Sequence, residues 1–332
     1  MIVGMVGAGS WGTTLAVHLA LLGNRVLLWG HGADQRQRLR DDRQNRAYLP
    51  GVPLSSEITI VDDAIECTAA PVVVIATPTQ SIRATLAVVP IDELQDRVVV
   101  SVSKGIERGS LLRISQLMRD THGLEPERFV ALSGPSHAEE VAGKIPTLVV
   151  AASPSTEHSR LVQSLFTSET LRVYTSPDLV GVELGASLKN VIAVAAGIID
   201  GLGMGDNTKA ALITRGLAEI RRMGVVLGAD AETFSGLSGL GDLVVTCTSR
   251  HSRNRHVGEQ IGRGRTLQDI ENEMSMVAEG VSTTDSALRL AQRSGVEVPI
   301  IQQVHQILFH NKSPREAIYD LMTRESKQEI WS

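Results

Sequence analysis

The feature that most constrains this chain lies at its start. An apolar run, Ile2–Val6, is followed at once by Gly7-Ala8-Gly9-Ser10-Trp11-Gly12, and a helical pattern, Ser10–Leu22, opens inside that motif and closes at Gly23. A strand, a tight glycine turn and a helix in direct succession leave few folds open. They predict the first strand–helix unit of a dinucleotide-binding sheet. In such a unit Gly7 allows the tight turn, Gly9 lets the backbone approach a pyrophosphate, and Gly12 permits close helix–strand packing. The backbone N–H groups of Ser10 and Trp11 then face the phosphates. The competing reading is an ordinary glycine-rich loop, and the flanking strand and helix argue against it.

The pattern continues through the first half. Strand-like runs recur at Arg25–Trp29, Val72–Ala76, Val98–Val102, Phe129–Leu132, Leu148–Ala152 and Leu171–Tyr174, with helical patterns between most of them. Continuous apolar strands alternating with helices imply a mostly parallel sheet covered on both faces. The fold expected is therefore an α/β, Rossmann-like, doubly wound sheet. Near Pro177 the strand signal stops. Asp178–Asp200 reads as a long helix, apolar on nearly every face and so buried. Asn207–Leu227, Thr283–Ser294 and Pro299–Phe309 read as further helices. Ser313-Pro314-Arg315-Glu316 reads as a capping box with proline at the first helical position. Residues 1–178 are thus expected to form the cofactor domain and 179–332 an all-α substrate and catalytic domain, with a ligand cleft between them. The length of 332 residues agrees with two cores, and an aromatic content of 3% makes those cores aliphatic.

Composition removes several classes of function. A formal net charge of −5 argues against a nucleic-acid binder. Two distant cysteines, Cys67 and Cys247, make neither a disulfide framework nor a metal-ligand pattern, and fit a reducing compartment. The N-terminus lacks the pattern of a signal peptide, and the longest apolar stretch, Val191–Ile199, is too short to span a bilayer. A cytoplasmic enzyme is the expectation, and a homodimer is compatible with it. His251, His256, His305 and His310 show no metal-ligand spacing, so no metal is expected.

Cofactor type is read at the end of the second strand. An NAD-specific chain places an acid there to bond the ribose hydroxyls. This chain has Trp29-Gly30-His31-Gly32, no acid before Asp34, and then Arg36 and Arg38. Those arginines favour a 2′-phosphate unless they only line a solvated helix face. The catalytic candidates lie further on. Lys189 sits inside the apolar helix, where a lysine is expensive unless paired or functional. Asp242, in Gly239-Leu240-Gly241-Asp242-Leu243, could supply its partner. Ser252-Arg253-Asn254-Arg255 joins guanidinium forks to neutral donors, a combination suited to a phosphate monoester. The alternatives for that segment are a basic surface loop or a nucleic-acid patch with Arg250, Arg263 and Arg265, and the acidic total charge and missing aromatics count against nucleic acid. Cys247 reads as a small buried hydrophobe.

Six motifs in order then carry a resemblance: 7–12, Ser103-Lys104-Gly105, Ser133-Gly134-Pro135-Ser136-His137-Ala138, Leu188-Lys189-Asn190, 239–243 and 252–255. Together they resemble the bacterial biosynthetic type of NAD(P)-dependent glycerol-3-phosphate dehydrogenase, nearly end to end. The resemblance implies reversible reduction of dihydroxyacetone phosphate to sn-glycerol 3-phosphate by NADPH or NADH, supplying the glycerophospholipid backbone. It implies that Lys189 is the general acid in reduction and that Lys104 polarises the carbonyl. Asp242 would orient Lys189, with Asn190 and Thr246 nearby. Gly134, Ser136, Ser252, Arg253 and Asn254 would hold the substrate. Besides the glycines, Ser10, Trp11, His31, Lys104, Ala138, Arg253, Val277 and Glu279 would contact the cofactor. Two departures stand out. Ser136-His137 replaces the threonine and aromatic of many relatives, and His31 replaces their arginine. Two other readings stay open at this point: a 3-hydroxyacid or 6-phosphogluconate-type dehydrogenase, and a non-catalytic cofactor sensor.

Overall fold

The computed structural model describes residues 1–274, 276–326 and 328–329. Eight strands form one sheet: β1 (Ile2–Val6), β2 (Arg25–Trp29), β3 (Ile58–Ile60), β4 (Val72–Ile75), β5 (Val98–Ser101), β6 (Phe129–Ser133), β7 (Thr147–Ala152) and β8 (Leu171–Ser176). Their order is β3-β2-β1-β4-β5-β6-β7-β8. All pairs are parallel except β6 with β7, where Ala131 stands opposite Ala152. The sequence reading thus has the sheet right and lacks β3, whose three residues carry too short a pattern to register.

Helices cover both faces, and β4 shows why. Val72 and Val74 point into one core with Leu15, Leu19 and Phe166, whereas Val73 and Ile75 point into the other with Ile82 and Met118. A strand apolar at every position fits only between two layers. The helices of this part are α1 (Ser10–Leu21), α2 (Ala33–Asp42), α3 (Ile82–Leu86), α4 (Ile114–His122), α5 (Ala138–Ala142) and α6 (Thr156–Phe166). The strand order reverses direction between β1 and its neighbour β4, so the glycine loop after β1 opens at the topological switch point, where such sheets bind ligands.

The rest is helical: α7 (Leu179–Gly201), α8 (Gly205–Val226), α9 (Asp242–Thr248), α10 (Arg253–Gly262), α11 (Leu267–Glu273), α12 (Glu279–Arg293), α13 (Pro299–His310) and α14 (Pro314–Met322). By length and apolar character α7 could cross a membrane, but its apolar window is wholly buried inside the fold. Its N-terminus is capped by Asp178, whose carboxylate accepts from Gly181 N at 2.8 Å. Leu179 and Val182 pack on the sheet, while Leu188 to Ile198 form the centre of the helical core. Helix α10 crosses α7 almost backbone to backbone. A Cβ added to Gly197 would stand 1.9 Å from the Arg255 carbonyl oxygen, and one on Gly258 would stand 1.9 Å from that of Val194. Only glycine permits this crossing.

Helix α14 starts at Pro314 as expected, but the capping box does not form, because the Ser313 side chain makes no cap hydrogen bond. Proline pre-sets the first turn without it. Helices α9, α10 and α11 are too short to show a clear period and are absent from the sequence reading. The end of the expected second domain, 330–332, lies outside the described residues.

Candidate active site

The glycine motif adopts the geometry its sequence demands. Gly7 has φ +122°, and a Cβ there would meet the Ala76 carbonyl oxygen at 2.7 Å. At Gly12 a Cβ would lie 2.0 Å from the Gly7 oxygen, so helix and loop pack with no side chain between them. Gly9 differs, since its Cβ would meet nothing within 4 Å. It is the open side of the turn, at the N-terminus of a helix whose first turn holds no acid. The first N–H groups of α1 have no intrahelical acceptor. Two buried polar atoms nearby in the fold also lack partners, Trp11 Nε1 and Glu279 Oε2. Open space, free N–H groups and unpartnered polar atoms fit a dinucleotide.

Around the end of β2 the arginines divide. Arg36 donates to the carbonyls of Gly30 at 2.8 Å and His31 at 3.0 Å, which ties α2 to the strand end. Arg38 is exposed on α2 and has no hydrogen-bond or ion-pair partner among the described residues. His31 is exposed and lies edge-on to Trp29 at 5.9 Å.

The catalytic candidates converge from three distant segments. Lys189 projects from α7 and is 5% exposed; Asp242 opens α9 and is 1% exposed. Lys189 Nζ lies 2.9 Å from Asp242 Oδ1, and Lys104 Nζ lies 2.8 Å from Asp242 Oδ2. One carboxylate therefore holds two ammonium groups. Lys189 also donates to Thr246 Oγ1 at 2.5 Å, and that hydroxyl donates to the Asp242 carbonyl at 2.6 Å. Lys104 donates to the Gly134 carbonyl at 2.9 Å, as does Ser136 Oγ. The sequence offered Asp242 as partner of Lys189 alone; that it bridges both lysines appears only in three dimensions.

The segment bearing Asp242 is shaped by glycine. Leu237–Gly241 forms a π-helical turn, and a Cβ on Gly239 would meet the Phe234 carbonyl oxygen at 2.2 Å. Gly185 of α7 approaches the Ser238 oxygen as closely as 2.7 Å, measured from its missing Cβ. These contacts press the start of α9 against α7 and bring the carboxylate to Lys189.

Electrostatics follow from burial. Burial pushes the Lys189 pKa down to about 8, with the Lys104 charge acting the same way and Asp242 opposing both. For Asp242 burial acts to raise the pKa, but Lys104 and Lys189 win and hold it below the usual carboxylate range. One carboxylate thus faces two lysines, and burial loosens the proton on Lys189. A buried ammonium with a lowered pKa can protonate an oxygen that gains charge next to it.

The remaining candidates form the wall on either side. Asn190 donates to the Lys104 carbonyl at 2.9 Å and accepts from Asn254 Nδ2 at 2.9 Å. Asn254 accepts in turn from Gly280 N at 2.8 Å. These two amides therefore brace the cleft, a role their sequence position did not reveal. Glu279 accepts from Thr79 N at 2.7 Å across the two parts of the chain, and Thr79 was missed because nothing local marks it. Ser252 caps α10, accepting from Arg255 N at 3.2 Å. Arg253 remains accessible to solvent although dense protein surrounds it, as on a concave wall. Burial lowers its pKa, and the charges of Glu279 and Glu139 oppose that. Arg255 is not part of the wall, because it pairs with Asp200 at 2.6 Å. The Ala138 carbonyl accepts from Thr14 Oγ1 at 3.2 Å, joining α5 to α1. Val277 is 50% exposed. Cys247 is fully buried with its pKa pushed up to about 12, an inert thiol.

A switch-point glycine loop facing a helical part that carries the buried Lys189 and Asp242, with Lys104 reaching Asp242 from the end of the sheet, defines a nicotinamide-dependent dehydrogenase. The comparisons make this specific. Residues 2–159 match the family described as NAD-dependent glycerol-3-phosphate dehydrogenase N-terminus, and residues 178–319 match the C-terminus of the same family. A glycerol-3-phosphate dehydrogenase [NAD(P)+] from Prosthecochloris aestuarii is 51% identical, over 99% of this chain and 100% of the relative. The crystal structure of glycerol-3-phosphate dehydrogenase from Coxiella burnetii superposes with TM-score 0.91 at 35% identity, covering 97% of this chain and 99% of that one. A ketopantoate reductase from Ralstonia eutropha, at 14% identity and TM-score 0.61 over 96% of this chain and 100% of its own, shares the fold alone. This chain belongs to the NAD-dependent glycerol-3-phosphate dehydrogenase family and is an NAD(P)-dependent oxidoreductase.

Proposed function

We propose that this chain reduces dihydroxyacetone phosphate to sn-glycerol 3-phosphate, reversibly, and so supplies the backbone of glycerophospholipids. The observation that carries the reading is the buried Lys104–Asp242–Lys189 cluster beside the dinucleotide loop. Names of relatives at about half identity agree with it.

Bound NAD(P)H supplies the hydride. The residues that would hold it are Gly7, Gly9, Ser10, Trp11 and Gly12 at the loop, His31 at the end of β2, and Lys104, Ala138, Arg253, Val277 and Glu279 across the cleft. The chain's own groups do the rest. Lys104 places a positive charge where the carbonyl oxygen becomes an alkoxide, and Lys189 gives that oxygen its proton. Asp242 holds both lysines and Thr246 fixes the direction of Lys189. Ser136, the Gly134 backbone, Ser252, Arg253 and Asn254 retain the phosphorylated substrate, and Asn190 steadies Lys104 through its carbonyl.

A pure cofactor sensor would have no use for two lysines on one buried carboxylate, an arrangement that rarely repays its desolvation. A 3-hydroxyacid substrate would leave Arg253 without a phosphate. We take residues 1–178 and 179–332 as the two domains, which the separate family matches support. We place the enzyme in the cytoplasm on its free buried cysteines; a homodimer is compatible with this reading. With no acid at Gly30 or His31 and Arg38 exposed nearby, NADPH should serve at least as well as NADH. The deciding experiment follows loss of reduced-cofactor absorbance with dihydroxyacetone phosphate beside a panel of 3-hydroxy acids and their keto forms. Turnover of the panel but not of dihydroxyacetone phosphate overturns the substrate; a strong preference for NADH in kcat/KM overturns the cofactor preference.

A further inference from the structure

His137 and His251 take no part in the reading above. His137 precedes α5 on the sheet side of the cleft, next in the chain to Ser136. His251 lies on the helical side, two residues before Arg253. Their ring centroids are 5.8 Å apart with the planes inclined at 49°, so the two imidazoles meet across the cleft. His137 is only partly buried as a residue, yet its Nε2 is wholly shielded and has no hydrogen-bond partner. A shielded ring nitrogen without a partner is unusual in a folded protein and asks for a reason.

Its surroundings supply one. The ring stands in the field of Lys189 and Lys104, and burial together with those two charges lowers its pKa, against the opposing pull of Glu140 and Glu139. A neutral imidazole keeps one N–H donor and one acceptor. It can therefore bond an incoming anion without adding a third cation to the cluster. His251, against which the ring packs, is followed in the chain by Ser252 and Arg253, the phosphate-suited residues. Resting on the substrate reading above, we propose that His137 is a further substrate-binding residue, its Nε2 bonding the phosphate end of the triose phosphate, with His251 packing against its ring.

The test uses the full-length enzyme and two variants. His137→Phe keeps the ring and removes the nitrogen. His137→Gln keeps a polar group near the position of Nε2. The expected result for His137→Phe is a KM for dihydroxyacetone phosphate raised about tenfold, the worth of one buried hydrogen bond. The KM for NADPH and kcat at saturation should change less than threefold. Inorganic phosphate, used as a competitive inhibitor, should lose affinity by the same factor as substrate. His137→Gln should recover most of both losses. Unchanged KM and inhibition in His137→Phe overturn the contact. A KM effect without a matching loss for inorganic phosphate overturns its assignment to the phosphate end, and failure of His137→Gln to recover means the ring only packs. If the wild type does not turn over dihydroxyacetone phosphate, the underlying reading fails instead, and this contact with it.

Discussion

The two halves of the site are built on opposite principles. The glycine loop is a backbone device made within six consecutive residues, and it works because side chains are missing. The lysine cluster is a side-chain device made from positions 104, 189 and 242, and it works because charges are present where burial opposes them. The loop resists change through sterics: a Cβ at Gly12 meets a backbone oxygen at 2.0 Å, with nowhere to go. The cluster resists change through mutual neutralisation on a 1%-exposed carboxylate. Binding and chemistry should therefore be separable by mutation.

Lys189→Met is the strongest way to separate them. It should lower kcat by roughly 10²–10⁴-fold, the usual worth of a positioned general acid. The fold should survive, since Asp242 keeps Lys104 at 2.8 Å and a desolvated charge is removed. NADPH affinity, measured by fluorescence, should stay near wild type. A kcat within a few-fold of wild type would make Lys189 structural.

Gly12→Ala probes the other half. The added methyl must displace the loop or the helix, at a cost of about 1–3 kcal/mol, so the melting temperature and NADPH affinity should fall together. Gly9→Ala, with open space at its Cβ, should melt like wild type yet bind NADPH more weakly. If both glycines behaved alike, the loop would have no open side and the division drawn here would collapse.

Arg253→Lys should raise KM for dihydroxyacetone phosphate by about tenfold, because lysine keeps the charge and loses the planar fork. NADPH affinity should fall less, since the loop carries most of that contact. An unchanged KM would show that Arg253 does not grip the phosphate.

A pH dependence tests the same cluster without a mutation, and its effect is small near neutrality. Lys189 must carry a proton to donate it, and its pKa is about 8 in the fold. In the reductive direction kcat/KM should be flat below that pH and fall about tenfold per unit above it. In the oxidative direction the deprotonated amine is the base, so the rate should rise through the same range. Lys189→Met should abolish this limb. A reductive profile level to pH 10 in the wild type would mean another group gives the proton.

What the sequence determined by itself is what depends on neighbours along the chain. The loop at 7–12 sits between its own strand and helix, so its conformation and ligand class follow from local sterics. The buried helix α7 announced itself by apolar residues on every face, and Lys189 stood out within it for that reason. Resemblance to a family then supplied roles for Lys104 and Ser136 that no local rule assigns. The tertiary structure decided what depends on residues far apart. It placed Asp242 between two lysines by packing a glycine-rich π turn on α7. It turned Asn190 and Asn254 into braces, and it sent Arg255 to Asp200 instead of the cleft. It gave Glu279 a partner in Thr79, 200 residues away. Side-chain contacts of this kind are set by how helices cross, here through Gly197 and Gly258, and a crossing leaves no period in the chain that forms it.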